Sequence, residues 1–110
     1  MIIEKTDIAT VIRNEKLSIL DFFSNFSKNY AKFKNENLIL DFSKSKGVDK
    51  ENILLFLPIV KQHKNNGRSI VIILNEIEAD NFPDEIIVVP TLVEGIDIIE
   101  MENIERDLGF

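Results

Sequence analysis

At 110 residues the chain has room for one compact domain and not for two, and its formal charge of −6 denies it the broad cationic footprint that nucleic-acid phosphates require. The absence of cysteine excludes a disulfide framework and any thiolate metal site. The apolar runs Ile70 to Leu74 and Ile86 to Val89 fall far short of the roughly 20 residues of a bilayer span, and Met1 to Asp7 carries acids where a signal peptide would be basic, so the expectation is a soluble, cytoplasmic protein with no membrane insertion.

In chain order, Ile2-Ile3 and Ile8 to Ile12 flank the polar Lys5-Thr6-Asp7, the pattern of two short strands joined by a tight turn. From Ser18 the apolar positions Ile19, Phe22, Phe23, Phe26, Tyr30 and Phe33 recur at intervals of three and four. This predicts a helix with one aromatic face, Ser18 as its N-cap and Asp21 in its first turn. Leu38 to Phe42 reads as a buried strand. Asp49 caps a second predicted helix running to about Lys64 and stopping before Gly67, with Ile53, Leu54, Leu57 and Val60 on one face. Pro58 removes a backbone donor inside that run, which predicts a kink or a later true start.

Arg68 to Leu74 and Ile86 to Val89 are β-branched runs expected as covered strands, with a helical turn expected between them in Asn75 to Glu85. After Pro90, Thr91 and Glu94 have the spacing of a capping box. The last helix is expected to run to about Leu108, with a stripe of Leu92, Ile96, Ile99 and Ile104, and to end at Gly109. Alternating helices and nearly all-apolar strands define an α/β class: a mixed, largely parallel sheet with helices packed on it, in one domain over residues 1–110.

The stretch Leu38-Ile39-Leu40-Asp41-Phe42-Ser43, leading through Gly47-Val48-Asp49 into a helix, together with this element order, resembles the STAS domain of anti-sigma factor antagonists over almost the whole chain. That resemblance implies a regulatory, non-catalytic protein-binding module. In the family a serine in an Asp-Ser-Ser-Gly type motif at the helix start is phosphorylated by a partner kinase. The matching residues here are Asp49-Lys50-Glu51-Asn52, which keep the aspartate and lack both serines and the glycine. A phosphate would add nearly two negative charges and switch partner affinity; neither Lys50 nor Glu51 accepts one. Both then read as ordinary first-turn helix residues.

Charge is unevenly placed: residues 1–75 carry about +4, whereas residues 76–110 carry about −10 with Arg106 as the lone cation. The local basic group Lys28, Lys32 and Lys34 does not alter the expectation of no nucleic-acid partner. Glu94, Asp97, Glu100, Glu102, Glu105 and Asp107 suggest two uses of the terminal helix. One is a metal-dependent hydrolase or nuclease site, with Glu100 and Glu102 central. The other, favoured because helical spacing spreads the acids over an exposed face, is docking of a basic partner. Ile98, Met101 and Phe110 fall off the expected stripe and would form an apolar patch ringed by acids.

The docking face expected therefore joins Asp49, Lys50 and Glu51 to Met101, Glu102 and Glu105, binds a protein partner, and leaves homodimerisation open. A variant of this reading has a kinase acting on another hydroxyl such as Ser43 or Ser45. His63, the only histidine, is expected near the end of the second helix in a surface or capping role, where its charge would favour the carbonyl end of the dipole. No nucleophile elbow, phosphate loop or zinc-binding motif occurs, so no catalytic residue and no cofactor are assigned.

Overall fold

The computed structural model describes residues 1–75 and 82–109. Strands β1 (Ile2–Lys5) and β2 (Thr10–Arg13) form an antiparallel hairpin whose turn closes through the Thr6 N–H to the Ala9 carbonyl at 2.9 Å. Helix α1 (Ile19–Asn29) continues into a 3-10 turn (Tyr30–Lys32) and leads to β3 (Leu38–Asp41). Helices α2 (Lys50–Leu54) and α3 (Leu57–Asn65) precede β4 (Ile70–Ile73), then β5 (Val88–Val89) and α4 (Leu92–Asp107) complete the order. The helical turn expected in Asn75 to Glu85 falls largely on residues 76–81, outside the described residues.

The sheet has the order β1-β2-β3-β4-β5, with β2 to β5 parallel. Because side chains alternate across a strand, each central strand feeds two cores. Ile12, Leu38, Leu40, Ile70 and Ile72 face α1, α2 and α3, whereas Val11, Ile39, Val71 and Ile73 face α4. Burial on both faces explains why these strands read as continuous apolar runs rather than alternating ones. The radius of gyration, 13.0 Å, is that of a single domain of this length.

The first core is aromatic. Phe22, Phe26, Phe42 and Phe56 are fully buried, and the Phe22–Phe42 and Phe23–Phe56 rings meet edge to face at 5.0 Å, the arrangement that sets positive ring edges against negative faces. Ser18 caps α1 through the Asp21 N–H at 3.1 Å. Pro58 proves to be a start rather than a kink. The predicted second helix is two helices, and the proline lies in the first turn of α3, where its missing N–H costs no helical bond.

Three further expectations about α4 need correction. Thr91 does accept from the Glu94 N–H at 3.2 Å, yet the Glu94 carboxylate takes the Thr91 hydroxyl rather than a backbone N–H, so the box is half made. Ile104, placed on the packed stripe, is 60% exposed, and Ile98, placed off it, packs against the second core. The packed face is instead Leu92, Gly95, Ile96, Ile98 and Ile99, followed by the polar Glu102, Asn103 and Arg106, which reach the ends of β3 and β4. A helix that packs through polar groups in its last turns escapes a reading based on apolar periodicity.

Candidate functional site

Three places on this scaffold carry polar chemistry. The first is the carboxyl edge of the parallel strands. Arg13 ends β2 and Asp41 ends β3 in register with it, so the guanidinium Nε meets Asp41 Oδ2 at 3.3 Å, while Asp41 Oδ1 accepts the Ser43 N–H at 2.9 Å. Asn14, fully buried, donates to the Leu17 carbonyl at 2.8 Å and to Ser45 Oγ at 2.9 Å. Ser45 is thus engaged in holding the loop, and Ser43 is the exposed hydroxyl of the two. Asp49 caps α2 by accepting the Asn52 N–H at 2.9 Å, and the Asp49 N–H donates to Asn52 Oδ1 at 3.2 Å. Lys50 and Glu51 follow as exposed first-turn residues.

The second place lies at the opposite edge, under the C-terminal half of α4. Asn37, directly before β3, accepts the Ser69 N–H at 2.9 Å and an Arg106 N–H at 3.4 Å through Oδ1, and donates through Nδ2 to the Ile8 carbonyl and to Asn103 Oδ1 at 3.1 Å. Ser69 donates to the Glu102 carboxylate and accepts from Arg106 at 3.0 Å. One side-chain amide thus joins the beginnings of β2 and β4 to the last helix. Beside it opens a cleft of about 340 Å³ lined by Lys64, Gly67, Arg68, Glu102, Glu105 and Arg106. Its mixed lining of cations and carboxylates has no nucleophile and base in contact.

The third place corrects the expectation for His63. The ring is fully buried, not at the surface. Its Nε2 lies 2.7 Å from the Glu36 carbonyl and its Nδ1 2.7 Å from the Tyr30 hydroxyl. A carbonyl only accepts, so Nε2 carries a proton, and Nδ1 accepts the tyrosine O–H in the neutral imidazole that burial favours. Burial lowers the histidine pKa and raises that of Tyr30, each holding its uncharged form. With both ring nitrogens occupied, the histidine pins α3 to the end of α1 and to the approach to β3.

The sequence-predicted docking residues are not brought together. Asp49, Lys50 and Glu51 sit beyond the carboxyl end of β3, in the layer of α1 to α3. Met101, Glu102 and Glu105 sit in the opposite layer and at the other edge, where α4 meets Asn37 and Ser69. Glu102 is also half-buried and turned onto Ser69, so it does not belong to an exposed face. No single flat partner surface includes both groups. Among the described residues no three acidic, histidine or cysteine side chains converge as a metal site would require, and no helix is long and apolar enough to cross a membrane.

What the structure assembles instead is an outward ridge on α4. Val93, Met101, Ile104 and Leu108 are 70%, 61%, 60% and 66% exposed. At about 100° per residue they fall within an arc of about 80°, diametrically opposite the buried Gly95 and Ile99. Asp97 interrupts the ridge, Glu100 borders one side, and Glu94 and Glu105 border the other. The spacing of Val93, Met101, Ile104 and Leu108 was available from the sequence, but only packing tells which side of α4 faces the sheet. Asn14, Asn37 and Ser69 went unassigned, although each abuts an apolar strand, where a polar side chain has few partners except backbone and other strand ends. No family model and no curated protein matches the chain.

Proposed function

We propose that the chain is a non-catalytic, STAS-like regulatory module that binds a protein partner through the solvent face of α4. The observation carrying this reading is the ridge of Val93, Met101, Ile104 and Leu108 with its border of carboxylates. Isolated surface hydrophobes are ordinary, but four aligned on one helix face, bracketed by charge of one sign, form the apolar centre and polar rim of a contact surface. The partner that fits is an amphipathic segment whose apolar residues cover the ridge and whose flanking lysines or arginines meet Asp97, Glu100 and Glu105.

The start of α2 has a lesser part in this reading. With Asp49 committed to its cap and no hydroxyl at Lys50 or Glu51, nothing there supports a phosphate switch of the family kind. The test is affinity capture from native lysate with the wild-type chain and with Met101→Lys/Ile104→Lys. A partner retained by the wild type at low salt, weakened in about 1 M salt as charges are screened beyond about 3 Å, and lost with the double variant supports the proposal. A chain that retains no specific partner at either ionic strength, or a partner indifferent to the double variant, refutes it.

A further inference from the structure

Strand β1 is an open sheet edge, and all four of its residues are exposed, Ile2 and Ile3 by 39% and 45%. The bond from the Thr6 N–H to the Ala9 carbonyl sets the alternation along the hairpin: Ile2 and Glu4 turn their backbone groups toward β2, and Ile3 and Lys5 turn theirs outward. Strand β2 shows the complementary phase, with the Thr10 and Asn14 N–H groups spent on the Asn37 and Asp41 carbonyls on the β3 side. Sheet edges are ordinarily protected by proline, a bulge or free charges. Here there is no proline, the register runs without a bulge, and both charges are held in ion pairs within the chain, Lys5 with Glu36 at 3.0 Å and Glu4 with Arg13 at 3.5 Å.

We propose that β1 pairs antiparallel with β1 of a second copy, Ile3 facing Ile3 across a twofold axis, so that two five-stranded sheets become one. The register follows from parity and charge. Bonded pairs must join outward-facing residues, which leaves Ile3 opposite Ile3, Ile3 opposite Lys5, or Lys5 opposite Lys5. The second brings Glu4 against Glu4 and the third sets two ammonium groups together, each a like-charge contact between directly opposed residues. The first pairs the isoleucines and lays Ile2 beside Glu4 and Lys5 beside Met1 of the other copy, with no like-charged side chains opposed. The strand is self-complementary in this register alone, which selects a second copy of this chain as occupant.

Sedimentation of the purified full chain from micromolar to roughly millimolar concentration tests the pairing. Expected is a reversible dimer whose dissociation constant rises at least about tenfold in Ile3→Lys, with an unchanged circular dichroism spectrum because the side chain is half-exposed. The register is read separately with single cysteines, since the natural chain has none. Ile2→Cys mixed with Glu4→Cys should oxidise to a one-to-one cross-linked pair, their Cα atoms being about 4.5 Å apart at a non-bonded site. Each alone should stay reduced. A monomer at every concentration, a dimer indifferent to Ile3→Lys, or Glu4→Cys cross-linking with itself as readily as with Ile2→Cys would overturn the proposal.

Discussion

The buried histidine makes a quantitative claim about acid stability. His63 is neutral in the folded chain, with Nε2–H on the Glu36 carbonyl and Nδ1 accepting from Tyr30, and burial holds its pKa below the ordinary 6.5. The unfolded chain therefore binds a proton as pH falls through about 6.5, while the folded chain resists until its own lower pKa is reached. Unfolding is favoured by acid throughout that window, and the contribution is fully present only above the unfolded value. The loss is at most about 1.4 kcal/mol for each pH unit below 6.5 over which the folded ring stays neutral. Denaturant unfolding at pH 7.5 and pH 5 measures it, with His63→Gln as the comparison, because glutamine keeps a donor for the Glu36 carbonyl and does not titrate. The difference in unfolding free energy between pH 7.5 and 5 should be larger in the wild type by up to that amount. Equal acid sensitivity in the two proteins would refute the neutral, doubly bonded histidine.

Three other substitutions examine separate parts of the argument. Gly95→Ala should stabilise by about 1 kcal/mol in thermal or denaturant unfolding, because a Cβ there meets Val71, Ile39 and Val89 side chains at 3.6 to 3.7 Å, ordinary contact distances, while the helix interior loses its most costly ordinary residue. Tyr30→Phe should cost about 1–3 kcal/mol by denaturant titration, since it leaves the buried Nδ1 of His63 without a donor. Asp49→Ala should cost about 1 kcal/mol through loss of the α2 cap in the same assay. If Asp49 serves only as a cap, the variant should leave partner capture unchanged at equal folded fraction.

Where local chemistry decided the outcome, the elements were legible from the residues. Ser18 and Asp49 announce helix starts because a side-chain oxygen beside an apolar periodic run has a backbone N–H within reach. The central strands announce themselves because two covered faces admit only apolar side chains, as at Ile39 and Leu40. Pro58 marks the second helical run for a kink or a later start, though not for a division into two helices. The candidate site was less legible. The pattern singles out Met101 and Glu105 but puts Ile104 on the packed stripe and gives His63 a surface or capping role, since a 3.6-residue period fixes which residues share a face and not which face meets the sheet.

Residue patterning alone reaches the α/β class, the succession of strands and helices apart from the division of the second helical run at Pro58, and the lack of a hydroxyl at Lys50 and Glu51, because these follow from side-chain type and from neighbours within a turn or two. Tertiary structure alone decided that α4 lies on the sheet face opposite α1 to α3, that Asp49 and Met101 occupy different ends of the molecule, and that Ile3 turns its backbone outward. Those outcomes depend on strand parity and on packing between residues distant in the chain, such as Asn37 with Arg106 and Tyr30 with His63, whose contacts no local pattern encodes.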